Sequence, residues 1–166
     1  MPELWEVTGA AKIRIFAPPA ALDALEVPDG VGAGRVAPDE MLWLGDPGRG
    51  PELEEAANAA VAAHGRDALV IDHSDGWTLF SLVGEGCEAV LGRLSDLRVP
   101  EGGGFIQGKV AQSPGRVFCR PNRLDLLIGA DLAWFVRGRL EHAGAGAGLT
   151  VGEPPVSSPL SAEVPA

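Results

Sequence analysis

The stretch Ala68–Leu94, ALVIDHSDGWTLFSLVGEGCEAVLGRL, changes its hydrophobic period twice, and the fold is read outward from it. Ala68-Leu69-Val70-Ile71 is a short apolar run of β-favouring type, ended by the turn formers Asp72-His73-Ser74-Asp75-Gly76. The next run, Trp77 to Val83, alternates, with Trp77, Leu79, Ser81 and Val83 on one face and Thr78, Phe80 and Leu82 on the other. Beyond Gly84, the residues Cys87, Val90, Leu91 and Leu94 recur at i, i+3, i+4 and i+7, the spacing of one helix face. Strand, polar corner, strand and amphipathic helix follow one another here, and the densest polar cluster of the chain sits in the corner.

Upstream, residues 1–11 show little pattern and read as a lead-in. Lys12 to Phe16 alternates as a strand, stopped by Pro18-Pro19, and residues 20–25 allow a turn or two of helix with Leu22 and Leu25 inward. Gly34–Ala37 and Glu40–Gly45 read as paired strands across a Pro38-Asp39 corner. Pro51 suits a first helical position, and Glu52 to His64 carries acids at its start, alanines in its body and Gly65 just beyond as a C′ residue. Its buried side is expected to be Leu53, Ala56, Ala57, Ala60 and Val61, small enough for close packing on a sheet.

Downstream, 95–104 is a Pro/Gly-rich loop. Phe105–Gln112, Arg116–Arg120 and Arg123–Gly129 read as strands, joined by turns at Ser113-Pro114-Gly115 and Pro121-Asn122. Asp131 is an expected N-cap for a last helix with the stripe Leu132, Phe135, Val136 and Leu140. The order β-α-β-β-α-β then β-α-β-β-β-α predicts an α+β fold of two ferredoxin-like split β-α-β halves. The expected organisation is a single domain over 1–143, with halves at about 12–72 and 77–143, followed by a flexible Gly/Pro/Ser-rich tail over 144–166.

Totals narrow the function classes. In 166 residues, 13 Lys and Arg stand against 23 Asp and Glu, for a net charge of −10. That balance argues against nucleic acid, whose phosphates demand a basic patch. No apolar run reaches the ~20 residues of a membrane span, and the N-terminus lacks the pattern of a signal peptide, so a cytoplasmic location is expected. Cys87 and Cys119 read as small core residues rather than a disulfide framework.

Asp72, His73, Ser74 and Asp75 contain the residue types of a hydrolytic triad. A triad needs an ordered hydrogen-bond chain and an oxyanion hole, which four neighbours in one turn do not supply, so the cluster is read as a corner between strands. His64, His73 and His142 lack ligand spacing, and no metal site is expected. Gly84-Glu85-Gly86 and Gly102-Gly103-Gly104 match neither dinucleotide nor P-loop patterns.

Three stretches taken in order carry a resemblance: Ala37–Leu44 (APDEMLWL), Val70–Thr78 (VIDHSDGWT) and Val83–Leu91 (VGEGCEAVL), continued by Phe105–Gly108 and Leu124–Leu140. Together they resemble the gamma subunit of heterotetrameric sarcosine oxidase over roughly residues 34–143. That family is similar to the folate-binding domains of the glycine-cleavage aminomethyltransferase. The resemblance implies that fold and an accessory, structural role in an enzyme that oxidatively demethylates sarcosine, alongside larger flavoprotein subunits. It implies FAD/FMN, NAD and tetrahydrofolate for partner subunits only, and no cofactor on this chain. One departure bears on the alternative, a stand-alone folate-binding or one-carbon-transfer protein. Aminomethyltransferases carry an acid shortly after the turn matching Ser113-Pro114-Gly115, whereas Arg116-Val117-Phe118-Cys119-Arg120 contains none. Asp72, His73, Trp77 and Arg116 remain as ligand-contact candidates, with no catalytic or metal-binding residue expected.

Overall fold

A computed structural model describes residues 1–156 and 160. In chain order the elements are β1 (Glu3–Val7), β2 (Ala10–Phe16), α1 (Pro19–Asp23), β3 (Gly32–Ala37), β4 (Glu40–Pro47), α2 (Gly50–Val61), β5 (Leu69–Asp72), β6 (Trp77–Val83), α3 (Cys87–Gly92), β7 (Gly104–Val110), β8 (Ser113–Arg120), β9 (Arg123–Gly129), α4 (Ala133–Ala145) and β10 (Thr150–Val151). They divide into two compact units, one formed by Gly9–Asp75 with Leu160, the other by Met1–Thr8 with residues 76–156. The α+β class is as expected.

In the first unit the sheet order is β3-β4-β2-β5, antiparallel throughout. The strands of a β-α-β-β-α-β chain here stand fourth, first, third, second across the sheet, the ferredoxin-like arrangement. Leu53, Ala57 and Val61 of α2 pack on Ile13, Ile15 and Trp43. The approach is close because Gly45 of β4 has no side chain: a Cβ there would stand 2.5 Å from Leu53 Cδ1. Ala60 is exposed rather than facing the sheet, and the α-helix stops at Val61. A 3-10 run, Ala62–Asp67, continues it to β5, with Gly65 at φ +54°.

The second unit has the sheet order β10-β1-β6-β9-β8-β7, in which every pair is antiparallel except β1 with β10. Helices α3 and α4 cover one face, where Cys87, Val90, Leu91, Val136 and Leu140 meet Phe80, Leu82, Leu124, Leu126 and Ile128. Among the described residues no helix is long and apolar enough to cross a membrane.

Four expectations are corrected. Residues 3–7 are no lead-in but a strand flanked by β10 and β6; with Leu4, Trp5 and Val7 all buried, both faces are apolar and the alternation is lost. The first turn of the meander lies at Ala111-Gln112, both at positive φ (50° and 68°), and Ser113-Pro114-Gly115 already belongs to β8. Pro114 is tolerated there because the pairing of β8 with β9 begins only at Gly115, so no ladder bond needs its missing N–H. Leu132 lies in a 3-10 turn before α4, which shifts the helix phase: Ala133, Val136, Leu140 and Gly144 face inward, while Leu132 and Phe135 are exposed. Lastly, the stretch expected as a tail supplies Thr150–Val151, paired in parallel with Glu3 and Leu4. Leu160 is buried, its N–H donating to the Asp46 carboxylate at 2.7 Å. Residues 157–159 and 161–166 of that tail lie outside the described residues.

Candidate functional site

The polar corner is built from the end of β5 and the strand beside it. Asp72, the last residue of β5, pairs with Ile13 of β2. Its Oδ1 accepts both the Ser74 N–H, at 2.9 Å, and the Ser74 hydroxyl, at 2.5 Å, an Asx turn that reverses the chain. Ser74 is also tied to β2: its Oγ accepts the Lys12 N–H at 3.0 Å, and its carbonyl accepts from Lys12 Nζ at 2.8 Å. The His73 N–H donates to the Lys12 carbonyl at 2.8 Å.

Lys12 is buried, which lowers its pKa, while the charges of Asp75 and Asp72 work in the opposite direction. The polar groups at this corner therefore hold one another. Ser74 Oγ gives its proton to a carboxylate and takes an N–H in return, which makes it a brace rather than a nucleophile.

Trp77 and Arg116 lie in the other unit. The Arg116 guanidinium sits 4.6 Å from the centroid of the Trp77 ring, a cation–π stack. Both are half-buried. They reach each other across β9 because Trp77 pairs with Gly129, which puts no side chain between them, and Arg116 pairs with Leu127, two residues away on the same face. Of the four candidates, two are thus placed at the corner of one unit and two on the sheet face of the other.

Further along that face is a buried polar cluster that sequence reasoning missed. Asp125 is fully buried, and its carboxylate accepts from Arg123 Nε at 3.0 and 3.1 Å, from Arg120 at 2.5 Å and from the Ser81 hydroxyl at 2.5 Å. Arg123, only 1% exposed, also donates to Ser81 Oγ at 3.3 Å, and its guanidinium lies 5.6 Å from the Trp5 ring. The available signal was Arg123 and Asp125 two residues apart in an apolar strand, which places both on one face.

Two guanidiniums and a hydroxyl thus share one carboxylate. Both oxygens of Asp125 are engaged by these donors. The thiols add no nucleophile: burial pushes Cys87 and Cys119 up to about 11, so both stay protonated at neutral pH. Among the described residues no three His, Cys, Asp or Glu side chains are grouped to hold a metal ion. What the arrangement offers is a cation stacked on an aromatic ring and, beside it, a carboxylate held between two guanidiniums and a hydroxyl.

No family model and no curated sequence matches the chain. Solved structures do. A chain of the heterotetrameric sarcosine oxidase from Corynebacterium sp. U-96, solved with pyrrole 2-carboxylate, superposes with a TM-score of 0.72 at 19% identity, covering 86% of this chain and 83% of that one. Aminomethyltransferase T of the glycine cleavage system from Bartonella henselae superposes with a TM-score of 0.65 at 12% identity over 90% of this chain. The chain spans about half of that protein, 47% of its length. At these identities the likeness is one of fold, the folate-binding aminomethyltransferase type.

Proposed function

We propose that this chain is a non-catalytic, gamma-type accessory subunit of a heteromeric, sarcosine oxidase-like flavoenzyme, with an assembly role in the oxidative demethylation of sarcosine. The observation that carries the reading is the fold match: a chain of the heterotetrameric oxidase superposes over 86% of this chain with a TM-score of 0.72, against 0.65 for the aminomethyltransferase. The site chemistry supports it: the buried acid is held by two arginines, the corner serine is a brace, and the thiols are protonated. On this reading the flavins, NAD and tetrahydrofolate belong to partner subunits.

The test is co-production with the larger flavoprotein subunits of such an oxidase. The chain is expected to co-elute with them as one flavin-coloured species. Its recovery as a separate species, with the flavoprotein subunits folded and present, would rule the reading out.

A second reading, a stand-alone folate-binding or one-carbon-transfer protein, draws on the aromatic ring and cation presented together by Trp77 and Arg116. Calorimetric titration with tetrahydrofolate decides it, and heat that vanishes in Arg116→Ala is the outcome it requires.

A further inference from the structure

One flank of α4 is left open beside a basic groove. Trp134 is 77% exposed, Phe135 38% and Leu132 37%, and the Trp134 and Phe135 rings meet edge to face at 6.1 Å. Exposed large apolar residues occur singly on most proteins; three together on one helix end are a patch. Phe135 and Arg139, one helical turn apart, form a wall of an open groove of about 500 Å³. The end of α3 and its loop contribute Arg93 and Asp96, and the β7–β8 hairpin contributes Lys109 and Gln112.

Three cations and one carboxylate converge there, in a chain with 13 basic and 23 acidic residues. Arg93 already donates to the Ala143 carbonyl at 2.5 Å. Lys109 and Arg139 have no carboxylate within ion-pair distance among the described residues. Their neighbour Arg137, by contrast, is paired with both Glu6 and Glu141 at 2.9 Å. Positive charge that has no carboxylate partner among the described residues, and that borders exposed aromatic rings, selects a ligand with the opposite charge and an apolar anchor.

We propose that this groove docks an acidic segment of a partner polypeptide, with carboxylates on Lys109 and Arg139 and an apolar side chain against Trp134 and Phe135. Tryptophan and arginine are the residue types that dominate binding energy when a partner covers them. Charge complementarity within the groove sets the occupant: its three cations against one carboxylate suit a short acidic segment, whereas a second whole copy would bring its full net charge of −10 against another −10. The inference rests on the subunit reading for the identity of the partner, but not for the chemistry of the groove.

The probe is a synthetic Glu/Asp decapeptide containing one phenylalanine, with a lysine counterpart as control. It is titrated calorimetrically into the full chain, into K109E/R139E and into W134A; all three positions are exposed, and circular dichroism checks each fold. The acidic peptide is expected to bind, about tenfold or more weaker to either variant, while the lysine peptide, drawn only to the acidic surface elsewhere, binds K109E/R139E no more weakly than the native chain. Several outcomes overturn the proposal: no binding of the acidic peptide, equal binding by the charge-reversed variant, inorganic phosphate binding as tightly as the peptide, or a dimer of the chain that W134A dissolves.

Assembly with flavoprotein subunits separates the two claims. If the charge-reversed variant assembles as well as the native chain, the groove is not the docking surface and only the subunit reading stands. If the native chain ignores those subunits yet binds the acidic peptide through the groove, the groove stands and the subunit reading falls.

Discussion

At Asp125 a single, fully buried carboxylate holds two guanidiniums and a hydroxyl. Removing it strips Arg123, 1% exposed, of the buried carboxylate to which its Nε donates. Asp125→Ala is therefore expected to cost about 3–5 kcal/mol of unfolding free energy, measured by urea melts. Arg120→Ala, whose side chain is 43% exposed, should cost far less. The thiols set a different response. Cys87 and Cys119 have folded pKa values of about 11 against an ordinary 9.0. Their contribution to stability is fully present below pH 9 and is lost as pH rises toward 11, because there the unfolded chain sheds protons that the folded chain keeps. That amounts to roughly 2–3 kcal/mol per thiol at the top of the window. Lys12 acts with the opposite sign: its folded pKa lies below 10.5, so its burial penalty is relieved as pH rises toward that value. Stability measured from pH 8 to 11 should fall in the native chain and fall less steeply in a Cys87→Ala/Cys119→Ala variant; parallel slopes would contradict the assignment.

Elements in this fold begin and end where backbone conformation forces them. The β7–β8 hairpin turns on Ala111 and Gln112, both in the left-handed region that side chains disfavour. Gln112 is exposed, so Gln112→Gly relieves φ +68° without opening the core and is expected to stabilise by up to ~1 kcal/mol, read as a higher urea midpoint. Where β7 starts, two glycines separate conformation from contact. Gly102, at φ +81°, has open space where a Cβ would stand, while at Gly103, at φ +91°, a Cβ would lie 2.5 Å from the Cys119 carbonyl oxygen. Gly102→Ala should cost about 1 kcal/mol for strain alone, and Gly103→Ala clearly more, since β8 must also shift. Equal costs would mean that the contact at Gly103 relaxes freely. The hairpin also shows why the turn was misplaced from sequence. Ser113-Pro114-Gly115 is composed of turn formers, but register with β7 carries it into the strand and leaves Ala111 and Gln112, poor turn residues, to make the reversal.

On the scale of the whole molecule, charge governs how the chain meets others. With a net charge of −10, long-range fields oppose self-association, and the groove beside α4 is where an acidic segment meets Lys109 and Arg139, cations with no carboxylate partner among the described residues. Screening separates its two components: the Debye length falls from about 10 Å at 0.1 M salt to about 3 Å at 1 M, which weakens contacts to Lys109 and Arg139 but not the burial of Trp134. Peptide affinity should drop with salt in the native chain and vary much less in K109E/R139E, as calorimetry at two ionic strengths would show. The sequence by itself determined the α+β class, the order of the elements from β2 to α4, and the corner at Asp72–Gly76. These are written in local periods and turn formers, which need no distant partner to be read. Only the tertiary structure decided that residues 3–7 form a strand within a six-stranded sheet, that Asp125 is shared by Arg120 and Arg123, that Arg116 stacks on Trp77 across Gly129, and that Phe135 faces outward. Each of these depends on register between strands far apart in the chain, or on helix phase set by one preceding 3-10 turn, and local spacing encodes neither.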